Sequence, residues 1–191
     1  ALAALQKFFG WFLNVYIEIF RGTPMIVQSM VIFYGSAQAF NISLDRTWAA
    51  IFIVSINTGA YMSEIVRGGI LAVDTGQFEA ATALGMTHGQ TMRKVVLPQV
   101  VRNILPATGN EFVINIKDTS VLNVISVVEL YFTGNTVATQ NYQYFPTFTI
   151  IAVIYFILTF TITRILRYIE RRLDSDTYTT GANQMQVKEV K

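Results

Sequence analysis

Long apolar blocks separated by short polar breaks limit what this chain can fold into more than any other feature. Charge is scarce within the blocks and gathers between and after them. Only 14% of the residues are charged, against about 25% in a soluble domain. That distribution suits a chain surrounded mostly by lipid. In lipid every backbone polar group needs an internal partner, so blocks of this length fold as helices. The expected class is all-α, a polytopic membrane helical bundle.

The blocks can be placed in order. Residues 8–20 are apolar and aromatic with Asn14 and Glu18 four apart, which suits an interfacial amphipathic helix with Trp11 and Tyr16 at headgroup level. Arg21-Gly22-Thr23-Pro24 breaks it, and Pro24 suits the first turn of the next helix. Spans are expected over 24–40, 47–70, 99–116 and 146–169, with a polar loop at 41–46. After residue 116 the third span breaks and a shorter helix follows to about residue 130, then a loop over 133–145. These readings place a membrane domain at 1–173, with a polar loop at 74–98, and a polar tail at 174–191. If the loop between the second and third spans is cytoplasmic, twelve of the fourteen Lys and Arg residues lie on or near the inner side. The tail is then cytoplasmic too. The chain would begin at the inner face, so a first crossing before Ala1 is expected, making five in the full protein.

Several function classes drop out. A net charge of +2 is too small to point to nucleic acid. There is no cysteine, and His88 is the single histidine, so neither a thiolate site nor a multi-histidine metal cage is available. Arg164, Arg167, Arg171 and Arg172 follow the last apolar block as a juxtamembrane anchor does.

The polar loop carries most of the chemistry. Asp74 with Gln77, and Thr87 with Gln90, are capping pairs that start two short helices, and Gly85 makes the corner between them. The first helix is expected over 75–84, the second up to Leu97 before Pro98. Phe78, Ala81, Thr82 and Gly85 share one helical face, and Ala80, Ala81 and Ala83 are small enough for a partner's surface to approach closely. A cytoplasmic hairpin without a partner fits the same geometry.

Two further faces stand out within the spans. Asn57, Tyr61, Glu64 and Gly68 recur at helical spacing, as do Asn103, Ala107, Glu111, Asn115 and Asp118. Ionisable groups facing lipid cost at least about 2.5 kcal/mol, so both faces are expected to turn inward and line a polar pathway. Interhelical hydrogen bonding that only holds the bundle together is the competing reading, and Glu64 can pair with Arg67 one turn on. At the break Lys117-Asp118-Thr119-Ser120, Thr119 or Ser120 can cap a following helix whose positive end attracts a carboxylate, and Asp118 can receive an amino group. A Lys117 salt bridge to Asp118 or Glu111 is the alternative there.

Glu79-Ala80-Ala81, three residues, Gly85, nine residues, then Val95, Val96 and Leu97-Pro98 resembles the signature of ABC-importer permease subunits. Glu18-Ile19-Phe20-Arg21-Gly22-Thr23-Pro24, the run from Ala60 to Ile70, and Ile116 to Leu122 are similar to the polar amino-acid uptake branch. The resemblance implies a type I importer bundle in a bacterial cytoplasmic membrane. It also implies that Phe78, Glu79, Ala80, Ala81 and Gly85 form a coupling helix seated in a separate ATPase. Implied partners are an ATPase dimer, a second permease copy or paralogue, an extracytoplasmic solute-binding protein and a polar amino acid. The chain would bind no cofactor itself, ATP and Mg residing on the ATPase, and no Walker A pattern occurs in it. An importer for another solute, or an ion-coupled secondary transporter, are the rival readings.

Overall fold

The computed structural model describes the backbone of residues 2–189 and the side chains of residues 6–172. The tail expected over 174–191 lies outside the residues whose side chains are described. Every regular element among the described residues is helical: α1 Leu2–Gly22, α2 Met25–Phe40, α3 Arg46–Leu71, α4 Thr75–Ala83, α5 His88–Thr91, a π turn Met92–Val96, α6 Leu97–Asp118, a 3-10 segment Thr119–Ile125, α7 Leu130–Asn141 and α8 Tyr144–Glu189. Within them, α3 and residues 144–172 of α8 are long and apolar enough to cross a membrane. A third candidate is a bent pair, residues 88–125 and α7, with 54° between its arms. At 16 residues, α2 reaches about 24 Å, short of about 30 Å of hydrocarbon.

The described chain forms two compact units. One joins residues 1–64 to 111–159, the other 65–110 to 160–191. The first has a core of Ala49, Ala50 and Ile53 from α3 against Leu122 and Ile125 of the 3-10 segment, flanked by Ile32 and Phe33 of α2. Alanine at 49 and 50 lets the 3-10 backbone come close, and Tyr34 then donates to the Val124 carbonyl at 3.0 Å. Ser126 takes a left-handed conformation that ends the 3-10 segment. Glu129 starts α7 by accepting from the Tyr131 and Phe132 amides at 2.7 and 2.6 Å. Tyr155 of α8 donates to the same carboxylate at 3.0 Å.

In the second unit Val73, Val96 and Val100 are buried together, with Ile70, Phe78, Met92 and Ile104 packed around them. Gly69 lies where any Cβ would collide with Ile104.

Several boundaries differ from the sequence reading. Pro24 is the N-cap of α2 rather than a first-turn residue, its ψ of 138° still extended. Asp74 caps α4 through the Gly76 amide at 2.6 Å, while Gln77 accepts from Gln99 at 3.3 Å instead of completing a capping box. No break occurs at Pro98, because the π turn before it widens the hydrogen-bond register where the proline nitrogen has no proton to give. Residues 133–141 are helical, not loop: Gly134 and Ala138 are buried, and Gly134 sits against Ile151 of α8. The Tyr16 hydroxyl donates to the Ile56 carbonyl of α3.

Candidate functional site

Within the first unit a cavity of about 240 Å³ lies among the α1–α2 corner, α3 and α6. Thr23, Pro24 and Met25 line it from the corner, Asn57 and Tyr61 from α3, and Glu111, Ile114, Asn115 and Asp118 from α6. Of the two polar faces, Asn57 and Tyr61 of α3 and Glu111, Asn115 and Asp118 of α6 meet at this hollow, while Glu64, Gly68, Asn103 and Ala107 are not among its lining residues.

Much of the amide chemistry around the hollow is already spent on architecture. Gln28, 7% exposed, donates to the Phe20 carbonyl and to both oxygens of Thr23, each at 2.9 Å. Asn57 donates to the Gln28 side-chain oxygen at 2.9 Å and to the Phe20 carbonyl at 3.3 Å. Thr58 donates to the Asn115 side chain at 3.1 Å, and Asn115 donates to the Glu111 carbonyl at 3.1 Å. These bonds lock the corner, α3 and α6 together.

The carboxylates of Glu111 and Asp118 are different. Seven positions apart on α6, both face the cavity, and neither is in an ion pair with a described residue. Lys117 forms no salt bridge with either of them. It lies outside the cavity lining, as do Thr119 and Ser120. The Thr119 hydroxyl donates to the Ile116 carbonyl at 3.0 Å and the Ser120 carbonyl accepts from Asn123 at 2.7 Å. Neither caps α7, whose cap is Glu129. Glu64 pairs with Arg21 at 3.4 Å.

Sequence reasoning missed Thr23, Pro24 and Met25 as lining residues. Their signal was the Arg21–Pro24 break, which read as punctuation rather than as a wall. Among the described residues no three His, Cys, Asp or Glu side chains gather as a metal site requires.

In the second unit the loop over 74–98 folds as two short helices about a glycine corner. Thr87 and Gln90 form a reciprocal capping box. Gly85 has φ +75°, with its amide on the Thr82 carbonyl at 2.9 Å and the Met86 amide on the Ala81 carbonyl at 3.1 Å, the pattern that closes a helix end. Ala81 is buried and Phe78 packs on the valine cluster, so this half of the expected docking face is turned inward. Glu79, Ala80, Ala83, Leu84 and Gly85 are exposed, Leu84 at 82%.

Residues 1–175 match the family of binding-protein-dependent transport system inner membrane components. The chain belongs to that family. This permease is 42% identical over 173 residues to the glutamine transport system permease protein GlnP of Escherichia coli (strain K12), covering 88% of this chain and 79% of that protein. It is 37% identical over 168 residues to the arginine transport system permease protein ArtQ of Bacillus subtilis (strain 168), covering 88% and 77%. A crystal structure of an amino acid ABC transporter with histidines superposes with a TM-score of 0.79 at 43% identity, over 83% of this chain and 74% of that one. The permease is thus an all-α membrane subunit of an ABC importer, a transport component. A multi-pass place in the bacterial inner membrane follows from its family and its apolar helices.

Proposed function

We propose that the permease carries polar amino acids inward through the cavity at Asn57, Tyr61, Glu111, Asn115 and Asp118. The observation that carries this reading is the pair of carboxylates, Glu111 and Asp118, on a wall whose amide side chains, Asn57 and Asn115, are already bonded. A carboxylate without a partner is costly at membrane depth, and the ammonium group of an amino acid supplies one. Glutamine and arginine, the substrates named for the relatives, share that group and no common side-chain charge.

Energy comes from outside the chain. The face Glu79, Ala80, Ala83, Leu84 and Gly85 docks in a cleft of an ATPase dimer that holds ATP and Mg, while Phe78 and Ala81 stiffen the docking helix from behind. A second permease, identical or paralogous, and an extracytoplasmic solute-binding protein complete the importer. The loop and the C-terminus lie on the cytoplasmic side.

Uptake of radiolabelled amino acids by the complete importer in proteoliposomes tests the reading. Glu111→Gln and Asp118→Asn are expected to lower uptake at least about ten-fold, a difference of about 1.4 kcal/mol, with the ATPase still co-purifying. Unchanged uptake in both variants would remove the cavity from the pathway. Uptake continuing without ATP would instead favour an ion-coupled carrier.

A further inference from the structure

We infer that Arg21 is a removable bolt on the cavity, holding Tyr61 and Glu64 closed at the end nearer the C-terminus of α3. The inference rests on the cavity being the transport pathway. Arg21 lies in the last turn of α1 and reaches across to α3. Its guanidinium is 3.4 Å from the Glu64 carboxylate and 5.6 Å from the centre of the Tyr61 ring. Tyr61 is a wall of the cavity, and Glu64 is the next residue on that face, about 4.5 Å further along the helix.

Other described bonds that tie α1 to α2 and α3 are of another kind. Tyr16 crosses Gly59 to reach the Ile56 carbonyl, and Asn57 and Gln28 grip the Phe20 carbonyl. Those bonds are neutral, and Gln28 and Asn57 are buried. They form a fixed hinge above the bolt. The charged contact is the wet one, with Arg21 and Glu64 side chains 42% and 23% exposed. An ion pair with water on both partners exchanges cheaply, whereas a buried pair does not. The bolt can therefore open without disturbing the hinge. When it leaves, the Tyr61 ring loses the cation that fixes its face, and that end of the cavity opens.

The test uses the complete importer in proteoliposomes and reads the ratio of amino acid transported to ATP hydrolysed. Arg21→Ala and Glu64→Gln are expected to raise hydrolysis without the solute-binding protein about five-fold and to lower the ratio correspondingly. The charge-exchanged double variant, Arg21→Glu with Glu64→Arg, is expected to recover most of the native ratio. Assembly is followed by co-purification of the ATPase. For any variant that does not assemble, Arg21→Lys takes its place. It keeps the charge but not the planar face over Tyr61, and a lowered ratio is expected. A native ratio in the assembled single variants, or in Arg21→Lys, overturns the bolt, as does a charge exchange no better than the singles. If Glu111→Gln and Asp118→Asn lower uptake while Arg21→Ala keeps its ratio, the bolt alone is wrong. If those two carboxylate variants transport normally, the pathway reading fails with it.

Discussion

Gly85 and Gly134 lack a side chain for opposite reasons, and the difference can be measured. At Gly85 an added Cβ meets nothing within 4 Å, but φ is +75°. Gly85→Ala is expected to cost about 1–2 kcal/mol through backbone strain alone. At Gly134 the backbone is ordinary helix and a Cβ would strike Ile151. Gly134→Ala is expected to cost about 1–3 kcal/mol by overpacking, and Ile151→Ala in the same chain is expected to restore part of it. Thermal unfolding in detergent, singly and in combination, separates the two cases. No second-site truncation should rescue Gly85→Ala, because nothing is in its way. Both glycines are visible in the sequence, but only the one at a helix end announces its purpose, since a collision with a residue 17 positions away leaves no local trace.

Among the elements, α7 depends on a single carboxylate. Glu129 takes two amide protons at the helix start and a phenol from α8. Glu129→Ala is expected to cost about 1 kcal/mol for the cap alone. A double-mutant cycle with Tyr155→Phe is expected to show coupling of about 0.5 kcal/mol or more, because the two side chains share one bond. Additive effects would mean that the phenol and the cap act separately. The caps at Asp74 and at Thr87 with Gln90 were legible because capping is a short-range pattern. The cap at Glu129 was not, because glutamate is an uncommon N-cap and Thr119 and Ser120 supplied more usual candidates upstream. The continuity through Pro98 was hidden for a related reason: a π turn has no composition of its own.

At the scale of the whole molecule, the docking surface proposed above is the exposed side of α4 together with Leu84. Leu84→Arg is expected to abolish co-purification of the ATPase while leaving thermal stability within about 0.5 kcal/mol, as for other surface changes. Ala81→Leu is expected to lose stability first, because its side chain is enclosed. If Leu84→Arg still brings down the ATPase, docking uses another surface. The chain has no cysteine, so single cysteines at positions 46 and 84 report sidedness directly. A membrane-impermeant maleimide applied outside intact cells is expected to label position 46 and spare position 84. The reverse pattern would invert the proposed orientation.

The sequence by itself determined the helical class, the lipid setting, the transport family and the two-helix loop over 74–98. Those are consequences of local rules: lipid leaves no other home for backbone hydrogen bonds, and helical spacing is written in neighbouring residues. It also put Asn57, Tyr61, Glu111, Asn115 and Asp118 on inward faces, because a charge or amide toward lipid is expensive. Only the tertiary structure decided which of these groups remain available. Asn57 is bound to Gln28, Asn115 to Thr58 and Glu64 to Arg21, while Glu111 and Asp118 are left to the cavity. It also turned Phe78 and Ala81 inward and left Leu84 outside. Such choices rest on partners 20 to 60 residues apart, where a repeat of three or four residues says which face a side chain occupies but not what waits opposite.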